Sequence, residues 1–231
     1  MKPRPKTSPY AGPNTRLQFN GSSSLYYVPK IFLKDQSCFK GDDYFTINIS
    51  QKIGHVLVHY LFTGEYQILE IDESKNAKDK SLDELRLAVQ VFLALQEWNF
   101  PGLQVLAQLE IESLCNSVEF FDLVRIMDEE LEERVVIDEE WLRNFLIQNL
   151  NMALEENEKP IEDSSLLNEL QNIGLVKLFA NHLLKTCHSR NLELQSKIIK
   201  LERSDSQDTI SESPEILTPC STSSEECKLQ G

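Results

Sequence analysis

Apolar residues recur at helical spacing from residue 53 to residue 62 and predict the central helix of the chain. Five of them share one face: Ile53, Val56, Leu57, Tyr60 and Leu61. This i, i+3, i+4, i+7, i+8 pattern is typical of an amphipathic helix. Val58 and Phe62 add a second apolar stripe, so we expect most of the helix circumference to be buried. Gly64 follows at the position where a helix end favours a residue that adopts positive φ.

Alternating patterns on the N-terminal side of this helix predict a small sheet. Residues 16–19 and 25–28 flank a polar turn, which is typical of a β-hairpin. Residues 44–49 alternate again and predict a third strand that leads directly into the central helix. Pro29 suits the start of a short helix after the hairpin, and residues 67–71 fit a short further strand.

Helical patterns account for most of the remaining chain. Ser81 and Glu84 form a Ser-x-x-Glu capping box, which predicts that a long helix starts at Ser81 and ends at Trp98. Pro101 then starts the next helix. Further helices are predicted over 118–133, over 139–155 behind a cap at Asp138, from Ser164 or Ser165 to Ile173-Gly174, and over 175–203 with a break near 189–191.

A short apolar stripe near the C-terminus has the spacing of a coiled coil. Leu194, Ile198 and Leu201 recur at a/d-like positions, but they span less than the three to four heptads that such a pattern requires. We therefore expect this helix to pack back on its own domain. The Ser/Thr/Glu-rich residues 204–231 are predicted to be disordered, and the proline-rich residues 1–14 to be flexible.

The net charge and the cysteine content disfavour several classes of protein. The net charge of the 231 residues is −14, which disfavours binding to nucleic acid or to anionic membranes. No apolar run approaches the ~20 residues of a membrane span, and no apolar segment follows the basic N-terminus as in a secretory signal. The five cysteines are odd in number and form no Cys-x-x-Cys pair. We expect an intracellular protein of the nucleus or cytoplasm.

Two histidines of the central helix raise the question of a metal site. His55 and His59 have the i, i+4 spacing of the zinc-binding motif His-Glu-x-x-His. Val56 stands where that motif has its catalytic glutamate, and no third ligand follows nearby. We favour two hydrogen-bonded helix histidines at a layer boundary, with a metal-dependent hydrolase as the weaker alternative.

Other reactive side chains form no convincing site. Acidic clusters at 128–133 and 138–140 lie beside arginines, so we expect a solvated helix face with i, i+4 ion pairs. Among the cysteines, Cys187 has a histidine next to it, His188, but adjacent helix residues point apart. We predict no catalytic residue, no cofactor and no metal site.

The central helix also carries a family resemblance. Its end, Tyr60-Leu-Phe-Thr-Gly-Glu-Tyr66, resembles the end of the central helix in BTB/POZ domains, and it is most similar to the divergent BTB proteins of filamentous fungi. Pro101-Gly102-Leu103 follows at the expected distance and resembles the Pro-Gly-Leu helix start of the family. The similarity covers residues 15–114. It implies a protein–protein interaction module without catalytic activity.

Two features depart from the family pattern. Residues 1–14 are proline-rich and cannot supply the N-terminal helix that many BTB domains exchange in a dimer. Residues 34–43 form a shorter segment than in BTB proteins that recruit cullins, and Phe39-Lys-Gly lacks their hydrophobic-x-acid pattern. A role as substrate adaptor of a cullin-type ubiquitin ligase is therefore an alternative, resting on the family and on the helices after Leu114.

Together these patterns predict an α+β protein with a BTB/POZ-like small sheet covered by helices and an all-helical C-terminal region. The expected domains are a flexible segment at 1–14, a BTB/POZ-like domain at 15–115, a helical region at 116–203 and a disordered acidic tail at 204–231. The expected function is a non-catalytic scaffold or regulator. Its expected partners are other proteins, with a second copy or a cullin as candidates, and neither nucleic acid nor membrane.

Overall fold

The computed structural model describes residue 8 and residues 10–131, 140–156 and 170–208. A small sheet followed mostly by helices confirms the predicted α+β class. In chain order the elements are β1 (Asn14–Asn20), β2 (Leu25–Pro29), α1 (Lys30–Leu33), a 3-10 helix (Ser37–Phe39), β3 (Tyr44–Ser50), α2 (Gln51–Thr63), α3 (Ala77–Trp98), α4 (Pro101–Cys115), α5 (Phe120–Leu131), α6 (Glu140–Glu156) and α7 (Ile173–Asp208). The chain divides into two units, Met1–Ala180 and Asn181–Gly231.

The sheet has the strand order β2-β1-β3. Strand β1 pairs antiparallel with β2 and parallel with β3, which confirms the predicted hairpin and third strand. Leu17, Phe19 and Ile47 are at most 1% exposed, because alternate residues of the two strands face the core. Residues 67–71 form no strand, so that prediction is wrong.

Helix α2 has the predicted ends but is less enclosed than predicted. Ser50 Oγ accepts a hydrogen bond from the N–H of Ile53 at 3.4 Å, and Gly64 ends the helix with φ 78°. Four residues of the first two turns are buried: Ile53, Gly54, Val56 and Leu57. Val58 is half-buried and Phe62 is 38% exposed. The prediction that most of the circumference is buried is therefore wrong for the later turns.

Two glycines allow close approach between α2 and its neighbours. A Cβ at Gly54 would overlap the ring of Phe19 in β1, so the backbone of α2 lies directly on the sheet. A Cβ at Gly102 would overlap the hydroxyl of Tyr60, so the start of α4 lies against α2. These contacts hold α2 between the sheet and the helix pair α3–α4.

Helix α3 begins four residues before its predicted start. Asn76 caps it, since the Asn76 side chain accepts a hydrogen bond from the N–H of Asp79 at 2.8 Å. Ser81 lies one turn inside the helix and donates its hydroxyl to the carbonyl of Ala77 at 3.2 Å. The predicted cap at Ser81 is therefore wrong, because Asn76 supplies the same capping chemistry one turn earlier.

Helix α7 is continuous from Ile173 to Asp208. The predicted helix end at Gly174 and the predicted break near 189–191 are both wrong. The Asn172 side-chain oxygen accepts a hydrogen bond from the N–H of Leu175 at 3.1 Å, which caps the first turn. Leu175 is fully buried in the first unit.

The apolar residues of α7 in the second unit are exposed. Their exposed fractions run from 48% to 69% for Leu184, Leu192, Leu194, Ile198, Ile199 and Leu201. The packing of this stripe back on its own domain stays a prediction. No helix within these residues is long and apolar enough to cross a membrane.

Several predictions lie outside the described residues. They include the cap at Asp138, the helix start at Ser164 or Ser165, residues 1–7 and 9 of the leading segment, and residues 209–231 of the tail.

Candidate interaction surface

Three aromatic rings from separate parts of the chain meet at the surface of the first unit. Phe32 of α1 and Phe62 of α2 lie edge to face, with ring centroids 5.4 Å apart. Tyr10, from the segment before β1, stacks on Phe62 at 6.3 Å and meets Phe32 at 5.9 Å. We call these three residues the aromatic cluster. Because Tyr10 is 59% and Phe62 is 38% exposed, the cluster presents apolar surface to solvent.

Local structure places each ring at the cluster. Pro29 ends β2 and caps α1 with φ −56°, and Ile31 in that helix is 52% exposed. Phe62 lies in the last turn of α2. In the segment before β1, Ser8 Oγ accepts a hydrogen bond from the N–H of Tyr10 at 3.3 Å. The cluster therefore combines one residue from each of two helices with Tyr10, which lies in a turn before β1.

The two histidines of α2 lie next to each other, one turn apart. Their ring centroids are 6.0 Å apart with an interplanar angle of 27°, and both residues are half-buried. Burial, and then the positive charge of His59, lower the pKa of His55. Among the described residues the structure records no hydrogen bond from either imidazole, so the expected hydrogen bonding is not found there.

The surroundings of this pair bear on the hydrolase alternative. Within the described residues, no group of three or more His, Cys, Asp or Glu side chains is placed to hold a metal ion. Val56, which occupies the glutamate position of the zinc motif, is 0% exposed. The described part of the chain thus brings two imidazoles together without a third ligand or an adjacent general base.

The acidic residues of α5 contact other helices. Glu129 and Glu130 pair with the guanidinium of Arg86 in α3 at 2.6 and 2.8 Å. Gln90 donates a second hydrogen bond to Glu130 at 2.9 Å. These acids connect α5 to α3, where i, i+4 pairs along one helix were expected. Residues 132–139 lie outside the described part of the chain.

A third acid of α5 binds backbone groups far along the chain. The carboxylate of Asp128 accepts hydrogen bonds from the N–H groups of Gln171 and Asn172, the shortest at 2.7 Å. The start of α7 is thereby fixed to α5. No local sequence signal reveals this contact, because the partners are 43 and 44 residues apart.

The described cysteines are free thiols. Cys38 and Cys187 are exposed and Cys115 is half-buried. Burial, and then the negative charge of Glu112, raise the pKa of Cys115 to about 12, and burial raises the pKa of Cys38. A raised pKa keeps a thiol protonated and weakly nucleophilic, so neither of these two suits a catalytic role. The other two cysteines lie outside the described residues.

A half-buried tyrosine, Tyr66, whose hydroxyl lies buried beside two glutamates, was not predicted from the sequence. The hydroxyl of Tyr66 has no hydrogen-bond partner among the described residues. Burial, and then the negative charges of Glu110 and Glu84, raise the pKa of Tyr66. Burial and Glu84 also raise the pKa of Glu110. The raised pKa keeps the Tyr66 hydroxyl protonated at neutral pH, so it does not act as a base.

A cavity beside α1 is lined by several lysines. It has a volume of about 250 Å³, and Lys30, Lys34, Lys40 and Thr15 are among its lining residues. Lys30 is engaged by the carboxylate of Asp43. The cavity is below the roughly 300–1,000 Å³ of typical ligand pockets, and its lining contains no histidine or cysteine. We therefore place the candidate site at the aromatic cluster.

Comparison with known proteins adds a family model for part of the chain. Residues 28–118 match the model described as the HAC6 N-terminal domain. The match begins in β2 and ends after α4, so it contains α1, β3, α2 and the pair α3–α4. Because the matching model is not a BTB/POZ model, the BTB/POZ identity stays a prediction.

The chain is also similar to fungal proteins. Two relatives, from two strains of Aspergillus fumigatus, are each named a subtelomeric hrmA-associated cluster protein. Each is 28% identical over 105 residues, which are 46% of this chain and 26% of the relative. The chain thus spans about a quarter of the length of these relatives. No solved structure matches it. The comparisons therefore give a family-model match over residues 28–118 and a similarity to fungal proteins over 105 residues.

Proposed function

We propose that the first unit contains a non-catalytic protein-interaction module that binds a partner protein through the aromatic cluster. The observation that carries this proposal is the exposed apolar surface of the cluster, in which Tyr10 is 59% and Phe62 is 38% exposed. Apolar groups gathered at a surface are typical of protein interfaces. Aromatic residues in such interfaces contribute a large share of the binding energy.

We further propose that this module is a divergent BTB/POZ-type domain. A hairpin, a short helix, a third strand and α2 precede the helix pair α3–α4. Helix α2 ends at Thr63-Gly64, and α4 begins at Pro101. This order agrees with what the resemblance to BTB/POZ domains implies.

A pair of matched variants tests the binding surface. Tyr10 and Leu109 are 59% and 56% exposed, so Tyr10→Glu and Leu109→Glu should both fold, which circular dichroism checks. We expect Tyr10→Glu, which removes a ring of the cluster, to weaken binding to partners captured by the wild type by about 30-fold. Leu109→Glu, which lies in α4, should retain them. If Tyr10→Glu captures the same partners at the same yield, the proposal is wrong.

The two alternatives predict different results. A role as cullin adaptor, which rests on the resemblance to BTB/POZ proteins and on the helices after Leu114, predicts a cullin among the captured proteins. A metal-dependent hydrolase predicts stoichiometric zinc in elemental analysis, lost on His55→Ala. An interaction module predicts neither the metal nor its dependence on His55. The expected location in the nucleus or cytoplasm stays a prediction.

A further inference from the structure

The second unit contains an exposed helix face on which the a/d spacing of Leu194, Ile198 and Leu201 continues back to Leu184 and so reaches three heptads. Its members alternate at spacings of three and four residues: Leu184, Cys187, Asn191, Leu194, Ile198 and Leu201. We call them the heptad stripe. Its leucines and its isoleucine are 54% to 69% exposed, and Cys187 is exposed as well. Most helical stability in proteins comes from packing of an apolar face, so this helix gains stability when such a stripe is covered.

We propose that the heptad stripe pairs with the same stripe of a second copy in a parallel two-stranded coiled coil. Leu184, Asn191 and Ile198 occupy the a positions, and the other three members occupy the d positions. The stripe is its own complement when the two copies are in register. The proposal concerns the second unit and does not depend on the aromatic cluster.

The charges beside the stripe fit a parallel pair. In parallel coiled coils a g residue faces the e residue of the next heptad on the other helix, which places Lys197 opposite Glu202. Arg190 is placed opposite Gln195 by the same rule. In an antiparallel pair with the stripes fully overlapped, g faces g, and Arg190 would then face Lys197. Because these two cations repel each other, the charge pattern favours the parallel arrangement.

Lys197 also has a contact within its own helix. Its Nζ lies 2.8 Å from Glu193 Oε1. A lysine ammonium has three N–H donors, so this contact is compatible with a second one to an acid on the neighbouring helix.

Asn191 gives a second reason for the parallel arrangement. In register, the two Asn191 side chains lie at the same level and can exchange amide hydrogen bonds. A single Asn at an a position is known to specify register and two strands. The antiparallel arrangement places Asn191 opposite Leu194, where the amide would be buried without a hydrogen-bond partner.

Light scattering on the full chain tests the pairing with matched variants. The expected mass of the wild type is twice 26.6 kDa. Leu194→Glu and Ile198→Glu alter the stripe, whereas Leu192→Glu and Ile199→Glu alter residues that are similarly exposed, at 53% and 48%, but lie beside it. We expect the first two variants to weaken dimerisation by more than about 100-fold and the other two to retain it. A monomeric wild type, or equal effects of both sets, would overturn the proposal.

Cys187 tests the orientation. In the parallel register the two Cys187 thiols face each other, whereas the antiparallel pair places Cys187 opposite Ile198. A variant that keeps Cys187 as its single cysteine should therefore form a disulfide dimer when copper-phenanthroline and oxygen act as the oxidant. Moving the thiol to the outer side with Cys187→Ser and Ser189→Cys should abolish this dimer. Cross-linking that is equal in the two variants contradicts the parallel arrangement.

Discussion

Two helices of this protein carry apolar stripes of the same kind in different surroundings. Helix α2 buries Val56 and Leu57, which are 0% and 3% exposed. Helix α7 leaves Leu194 and Leu201 57% and 65% exposed. The periodicity of the two stripes is equally helical. The difference teaches that an apolar stripe predicts a contact without identifying the partner in that contact.

The consequence is a difference in what each stripe stabilises. A stripe covered by its own chain contributes to the free energy of unfolding, because unfolding returns its apolar surface to water. An exposed stripe contributes when another surface covers it. The same substitution should therefore change folding in one helix and association in the other.

The largest expected difference in the free energy of unfolding comes from placing one charged residue in α2 and one in α7. Val56→Asp buries an unpaired carboxylate and should lower the free energy of unfolding by more than about 4 kcal/mol. Leu192→Asp in α7, at a residue that is 53% exposed, should change the unfolding of the first unit by less than about 0.5 kcal/mol. Denaturant unfolding followed by tryptophan fluorescence measures both. A large loss for Leu192→Asp would show that this part of α7 is covered by its own chain, and the comparison would fail.

A smaller effect is expected where α2 touches the sheet. Gly54→Ala adds a methyl group that overlaps the ring of Phe19 and should lower the free energy of unfolding by about 1–3 kcal/mol. Gly12→Ala is the control, because nothing lies within 4 Å of a Cβ at that position. Thermal and denaturant unfolding of both variants measure the difference. Equal stability of the two variants would mean that α2 does not approach the sheet this closely.

The smallest effect on the free energy of unfolding is expected at His55, a residue of α2 that solvent reaches. Burial and the charge of His59 lower the pKa of His55 in the folded state, so the unfolded chain binds protons more readily. The free energy of unfolding should therefore fall as the pH drops through about 6.5, the ordinary histidine pKa. His55→Gln should remove part of this loss, by less than about 1 kcal/mol because solvent reaches the side chain.

Denaturant unfolding at about pH 7.5 and pH 5.5 checks the histidine effect. The wild type should lose more stability than His55→Gln between the two values. An identical loss in both proteins would show that His55 is as hydrated in the folded state as in the unfolded one.

Short-range signals predicted most of the elements and also produced most of the errors. Gly64 ends α2 and Pro101 starts α4 as predicted, because helix ends depend on a few neighbouring residues. Ser81 carries an equally good capping signal, but Asn76 caps α3 one turn earlier. Gly174 resembles a helix end, yet it lies in the first turn of α7. Local sequence rules do not decide which of two competing residues starts or ends a helix, because tertiary packing determines the outcome.

The candidate site depended on contacts that no local rule contains. The aromatic cluster joins Tyr10, Phe32 and Phe62 from three separate segments, and Tyr10 lies in a segment predicted to be flexible. The exposure of the later turns of α2 was not predicted, because the spacing of apolar residues does not show which other segments pack against them. The fold class therefore followed from the sequence, whereas the position of an exposed aromatic surface required the structure.

The contact between Tyr60 and Gly102 links two positions that are far apart in the sequence. The phenolic oxygen of Tyr60 occupies the space that a methyl group at position 102 would need. Because the two groups cannot share this space, the residue type at one position limits the residue type at the other. An alanine at 102 fits this arrangement when position 60 is phenylalanine, which lacks the oxygen. The two positions should therefore covary during evolution, with the change of Tyr60 to phenylalanine preceding the change of Gly102 to alanine.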